Sequence, residues 1–504
     1  MKVMWTDGKI ITMVSEGDTV EAVLTENGSI TMVGKKEELA PFAEKEISLQ
    51  GAAMYPGFVD SHIHLIGHGE KLSYYDLSHE PSIEQIVKGI EQRITKGLWY
   101  IAEGWDDNRL EEKRQITMQD LQHFTDTPIV LKRICRHVLV ANKRAMELAG
   151  ISETIENPKG GVIGRDEDGR LNGLFYDEAQ KLITDAIPSV TPEYLSKVIA
   201  RSIRDLQEKG FTGVHTEDMS YYGPYTVPLE AYRNTVKEGF RVHLLRHHLV
   251  FEQMVHEKEE DFIEFGAMKI FIDGSLGGRT ALLSKEYSDE PGNKGIAVHT
   301  KEKLRELVKL ARKHGENIAV HVIGDKATEI ILELIEDYPV PPGKKDRLIH
   351  VNVLREDLID KMKQLPLVLD IQPIFVSSDF PWVQERLGKD RLTYSYAWKT
   401  LLEAGFECSG GSDSPIEDAN PILGIHAAVN NNWLKEQSLS VYEAVSLFTT
   451  GSAQAIGKEE ARGKISIGYA ADFTVFDEAI EKSNVLERKV VMTVVDGKVV
   501  YRKS

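Results

Sequence analysis

The sequence predicts an α/β fold built on a closed barrel of eight parallel strands. A small sheet domain made from both chain ends and an insertion after the first barrel strand complete it. Three observations predict this arrangement. Through the middle of the chain, short apolar runs of strand length alternate with stretches of helical periodicity, the pattern of a parallel sheet covered by helices. Both ends instead carry β-like runs punctuated by turn dipeptides. The gap between the first two middle strands is far longer than a normal connection.

Taken in order, residues 1–54 hold β-like runs separated by "TDGK", "SEGD" and "ENGS", turn chemistry that divides sheet strands. The segment 55–462 is the barrel. Its first strand is "GFVDSH" (57–62), and the insertion then occupies about 66–200. Within it, "VANKRAMELAG" (140–150) reads as helix and "GGVIGRDEDGRLNG" (160–173) as turns or a hairpin loop. The run "LWYIAEGWDD" (98–107) competes as a ninth barrel strand and is assigned to the insertion.

The barrel resumes with "GFTGVHTE" (210–217), "RVHLLRHH" (241–248) and "AMKIFIDG" (267–274). It continues with "NIAVHVIG" (317–324), "RLIHVNV" (347–353), "PLVLDIQP" (366–373) and "ECSGGSD" (407–413). Between them, "KEKLRELVKLARKHG" (301–315) sets Leu304, Leu307, Leu310 and Ala311 on one helical face. The C-terminal segment 463–504 returns to sheet, and "VVDGKVVY" has the Asp-Gly signature of a tight hairpin. Neither end buries enough apolar surface alone, so the two are expected to form one domain.

A formal charge of -18 over 504 residues argues against nucleic acid or an anionic membrane as the main partner. Cys135 and Cys408 are the only cysteines, which excludes a disulfide framework and a four-cysteine zinc site. "MKVMWTDGKI" turns polar too early for a signal peptide. No apolar run reaches the ~20 residues that span a bilayer. These features predict a cytoplasmic protein with a small-molecule substrate. A homodimer is the default assembly.

The chemistry concentrates at candidate strand ends, where a barrel of this kind carries its function. In "GFVDSHIHL" (57–65), His62 and His64 are two residues apart, so on a strand both face one side. Lys269, His321 and His350 lie in the fourth, fifth and sixth strands, and Asp413 ends the eighth. Each alone has an ordinary reading: a packed histidine, a lysine beside a buried carboxylate, a turn or cap aspartate. Together they suit zinc or another first-row divalent ion. Two ions about 3.5–4 Å apart require a bridging ligand, which Lys269 becomes only if carbon dioxide converts it to a carbamate.

At these residues the sequence resembles the amidohydrolase superfamily, and within it the YtcJ-type branch that includes N-substituted formamide deformylase. The matching segments are "YPGFVDSHIHL" (55–65), "GWDDNRL" (104–110), "RHVLVANKRAMELAG" (136–150) and "GGVIGRDEDGRLNGLFYDEA" (160–179). They continue with "GFTGVHTED" (210–218), "MKIFIDGSLGGRTALL" (268–283), "HVIGDKA" (321–327), "RLIHV" (347–351), "GSDSPIEDANPILGI" (411–425) and "GKISIGYAADFTVFD" (463–477).

The resemblance implies a distorted (β/α)8 TIM barrel with a β-sandwich domain from both termini. It implies that His62, His64 and Asp413 hold one ion and His321 and His350 a second, two zinc ions per chain, with N6-carboxylated Lys269 between them. The implied reaction is hydrolysis of a non-peptide carbon–nitrogen bond by a metal-bridging hydroxide, with Asp413 as general acid and base.

Trp105, Asp106, His137, Tyr221, Tyr222, Asp273 and Arg279 are candidates for the substrate pocket. Each also has a structural reading as a buried aromatic, a loop carboxylate, a cap or a brace. Two alternatives to amide hydrolysis remain: deamination of a heterocycle, which has less need of Lys269, and a barrel that binds ligand without turnover.

Overall fold

The computed structural model describes residues 1–503 apart from 74, 95–98, 108, 134–136 and 189. Cys135, together with Leu98, Asn108 and Arg136 of the segments quoted above, lies outside the described residues. The chain divides into two compact units, one of Met1–His68 with Pro192–Ser504 and one of Gly69–Thr191.

In the first unit the eight apolar runs form one parallel sheet whose spatial order follows chain order. Its strands are β1 (Phe58–Ile63), β2 (Phe211–Thr216), β3 (Arg241–His247) and β4 (Ile263–Phe271). They continue with β5 (Ile318–Val322), β6 (Asp346–His350), β7 (Leu367–Ile371) and β8 (Glu407–Gly410). The register aligns candidate residues across neighbours: Lys269 opposes His247, His321 opposes Phe271, and His350 opposes Val322.

No ladder joins β8 to β1 among the described residues, so the barrel is nearly closed, and the seam is held by other means. Asp413 N–H donates to the His62 carbonyl at 2.7 Å. The buried Asp60 carboxylate accepts the N–H groups of Ser412 and His62, each at 3.1 Å to Oδ1. Gly411 permits the approach, since a Cβ there would sit 2.6 Å from the His62 nitrogen.

The barrel interior is layered. Leu245, Ala267, Ala319 and Ile349 form a small apolar cluster. A polar group adjoins it: Arg347 donates to Asp370 at 2.5 Å and to the Ser61 carbonyl at 3.0 Å. Removing either member of this buried pair would strand its partner without a counter-charge.

Helices cover the sheet by burying one stripe each. In Lys301–Lys313, capped by the Thr300 side chain, the buried stripe is Leu304, Leu307, Val308 and Ala311. Leu310 is only half-buried, because Val308 lies nearer the centre of the stripe. Pro192–Glu208 buries Leu195, Val198, Ile199 and Leu206.

The chain ends share one sheet, in the order Lys498–Arg502, Val490–Val495, Phe473–Phe476, Ala53–Pro56, Val3–Ile11, Thr19–Glu26, Ser29–Gly34. Lys45–Ser48 pairs alongside Val3–Ile11. The pairing of Phe473–Phe476 with Ala53–Pro56 joins the two termini. Trp5, Met54, Phe473 and Val494 are in its core, with Trp5 edge-on to Phe473 at 5.6 Å. Asp496 and Gly497 both take positive φ, as a two-residue hairpin turn requires.

The second unit holds a five-stranded sheet ordered Gly161–Arg165, Leu171–Asp177, Val138–Ala141, Ile129–Arg133, Tyr100–Trp105. Of the two readings of 160–173, turns or a hairpin loop, the segment takes the hairpin, with Gly161–Arg165 antiparallel to Leu171–Asp177. The segment 140–150 ends a strand before its helix Lys143–Leu148 begins. No helix among the described residues is long and apolar enough to cross a membrane.

Gly411→Ala tests the seam. The atoms a Cβ would meet are His62 backbone and Cβ, which cannot swing aside, so the variant should lose about 1–3 kcal/mol, read as a lower urea midpoint.

Candidate metal centre

Six predicted residues from β1, β4, β5, β6 and the turn after β8 meet at the C-terminal end of the barrel. His62 Nε2 lies 3.3 Å from Asp413 Oδ1 and 3.3 Å from Lys269 Nζ. His64 Nε2 lies 3.6 Å from the same Asp413 oxygen. The ring of His350 is 5.4 Å from that of His62 and 4.5 Å from that of His321. His62, His64 and Asp413 present ligand atoms within 4.8 Å of one another, a set able to hold a metal ion.

Neighbouring groups fix which ring nitrogen is available. His64 Nδ1 is 2.7 Å from the Glu217 carbonyl, which turns Nε2 toward Asp413. His350 Nδ1 is 2.7 Å from Gln372 Oε1, and its buried Nε2 has no hydrogen-bond partner among the described residues. His321 Nε2 is 3.1 Å from the Gly274 carbonyl, which leaves Nδ1 outside that contact. Partners of this kind orient metal-binding imidazoles.

The electrostatics suit cation binding by neutral rings. Burial pushes His62 and His350 well below the ordinary imidazole range, reinforced by the Lys269 charge at His62 and by His321 at His350. Burial and Lys269 bring His321 down to about 4. Lys269 itself falls to about 8 through burial, against the pull of Glu217, Asp413 and Asp370. Rings already deprotonated need release no proton to bind a metal.

Backbone strain collects at the same place. His350 has φ 82° and Asp413 φ 56°, a left-handed region that a histidine rarely adopts. The Asp413 turn is braced from below: His64 N–H donates to the Ser414 carbonyl at 2.8 Å. Ser414 Oγ lies 2.8 Å from His68 Nδ1, whose Nε2 is 2.9 Å from Asp205.

The other pocket candidates separate. Tyr221 flanks this cluster, its ring 5.9 Å from His64 and 5.8 Å from His247. Tyr222 follows it, half-buried, in the same turn. Asp273 was expected to reach substrate. Its carboxylate is instead used by three backbone N–H groups, from Leu282, Ile323 and Gly324, at 2.8–3.0 Å. Burial raises it to about 7 despite those donors. Arg279, at φ 53°, is held by Asp289 at 2.8 Å and Glu290 at 3.4 Å.

Trp105, Asp106 and His137 belong to the second unit. Trp105 is a core residue there, fully buried with its indole N–H donating to the Leu131 carbonyl at 3.1 Å. Arg133 pairs with Asp106 at 3.0 Å and with Asp107 at 2.6 Å. His137 is exposed and pairs with Asp177 at 2.9 Å.

The model of a family described as the amidohydrolase family matches residues 45–501. The chain is 47% identical to "Putative amidohydrolase YtcJ" of Bacillus subtilis (strain 168), over the full length of both. The chain belongs to the amidohydrolase family. This amidohydrolase is also 24% identical to "N-substituted formamide deformylase" of Arthrobacter pascens, across 99% of its own chain and 98% of that one. A solved structure titled as an uncharacterized metal-dependent hydrolase from Pyrococcus furiosus superposes with a TM-score of 0.80 at 27% identity, covering 95% and 99% of the two chains.

Two residues beside the cluster of this amidohydrolase, Glu217 and Gln372, do not stand out in the sequence. Glu217 follows β2, is fully buried, accepts from Tyr221 O–H at 2.6 Å and has an oxygen with no partner among the described residues. The available signal was "TED" directly after an apolar run, which reads equally well as a turn. Gln372→Leu should leave the fold intact and weaken divalent-metal binding about 10–100-fold, measured by competition with a chromophoric chelator.

Proposed function

We propose that the protein is a metal-dependent hydrolase of a non-peptide carbon–nitrogen bond in a small molecule. N-substituted formamides, N-acyl amines and cyclic amides are the substrate classes. The observation that carries this reading is the convergence of His62, His64 and Asp413 beside Lys269, His321 and His350 in a chain of the amidohydrolase family. The likeness to the N-substituted formamide deformylase of Arthrobacter pascens supports the formamide class.

The residues fit divalent metal. The unpartnered His350 Nε2 and the outward partners of His64 and His321 leave donor atoms facing a common space. On this reading His62, His64 and Asp413 hold one ion and His321 and His350 a second. Lys269, once N6-carboxylated, would supply anionic oxygens to both, for two zinc ions per chain. Bound there, such ions polarise a carbonyl and lower the pKa of water.

Asp413 contributes the chain's own chemistry. Its carboxylate accepts the proton of the attacking water and delivers it to the leaving nitrogen, a general acid–base role. The seam bond from the Asp413 N–H to the His62 carbonyl fixes the backbone that carries that carboxylate. The division of labour along the chain is a barrel over 55–462, an insertion at about 66–200, and a sheet domain from 1–54 and 463–504.

Elemental analysis of protein purified without chelator and with bicarbonate tests this. About two ions per chain are expected, with fewer in Lys269→Ala. Asp413→Asn should reduce kcat on a formamide or N-acyl amine by about 10²–10⁴-fold, a larger loss than its loss of metal. Protein that takes up no zinc, manganese or cobalt would overturn the reading.

A further inference from the structure

The Glu217 side chain is an acid buried at the level of the cluster that the metal-centre reading does not use. Its direction follows from β2. His215, two residues earlier, points into the barrel, where its ring lies 5.2 Å from that of His243 and its Nδ1 3.5 Å from Arg347. Strand alternation sends Glu217 to the same interior, one layer nearer the C-terminal end. Asp218 turns the other way and is taken by Thr216 at 2.6 Å and Tyr232 at 2.5 Å.

Glu217 is also tied to the cluster by its backbone. Its N–H donates to the Ile63 carbonyl at 3.3 Å, and its carbonyl faces His64 Nδ1 at 2.7 Å. Its side chain has one partner, the Tyr221 hydroxyl, on Oε2, while Oε1 is bare among the described residues. The ligand atoms that converge within 4.8 Å are those of His62, His64 and Asp413, and Glu217 is not among them.

A buried carboxylate with an empty oxygen is costly in the metal-free protein. Divalent cations bound nearby would reverse that cost, since Asp413 and carboxylated Lys269, the anionic members of the metal-centre reading, do not fully offset two dications. We propose that Glu217 is a charge-balancing, positioning residue of the metal centre. Its carboxylate holds divalent cations through space without ligating them, and its clasp with Tyr221 fixes the turn that aims His64. This rests on the metal-centre reading above and adds to it a residue outside the coordinating set.

The test compares Glu217→Gln and Glu217→Asp with wild type. Zinc affinity is measured by chelator competition, and stability by urea denaturation of metal-free protein. Glutamine keeps the shape and the Tyr221 bond but removes the charge; aspartate keeps the charge on a shorter arm. The expected result is that Glu217→Gln binds zinc about tenfold or more weakly, with a metal-free urea midpoint unchanged or higher. Glu217→Asp should retain more affinity than Glu217→Gln.

The reverse order, glutamine tolerated and aspartate impaired, would mean a steric role and would overturn the proposal. So would a Glu217→Gln protein that binds zinc like wild type, with the metal-centre reading left standing. Wild type that binds no zinc would remove both.

Discussion

The seam between the first and last barrel strands is the contact on which the site depends. A parallel barrel closes only if its end strands meet, and here they meet without a ladder, through Asp60, Gly411 and the Asp413-to-His62 backbone bond. His62, His64 and Asp413 all lie within a few residues of that contact. The backbone that carries these three residues is therefore fixed where the end strands meet. Preorganisation of this kind lets a site hold reacting groups without reordering them.

Outward from the seam the supports are arranged in shells. His64, His321 and His350 each lean on a carbonyl or amide oxygen, and His68 and Asp205 brace the loop that carries Asp413. Asp273 ties the loops after β4 and β5 together through backbone N–H groups. Much of the polar character of the barrel thus holds other residues in place.

The barrel was legible because most of its strands hold a short apolar run, as buried parallel strands demand, although β8 (Glu-Cys-Ser-Gly) does not. The histidines, Lys269 and Asp413 were legible because chemistry-bearing residues at strand ends stand out against those runs. Asp273 misled for the same reason: sequence distinguishes a carboxylate after a strand but not whether it faces the barrel mouth or a backbone N–H. Glu217 and Gln372 escaped notice because their value lies in what they touch across the barrel. Trp105 behaves as the buried aromatic that its size favours.

The shared terminal sheet has a consequence for synthesis. Phe58 N–H donates to the Thr474 hydroxyl, a contact between residues 416 apart in sequence. At roughly 5–20 residues per second, the N-terminal strands leave the ribosome some 20–80 seconds before their partners exist. Throughout that interval the edge of Ala53–Pro56 that will take Phe473–Phe476 is open, next to an incomplete barrel. An open strand edge is a template for wrong pairing. The nascent chain is thus at its most vulnerable to aggregation before its last residues emerge, and C-terminal truncation prolongs that state indefinitely.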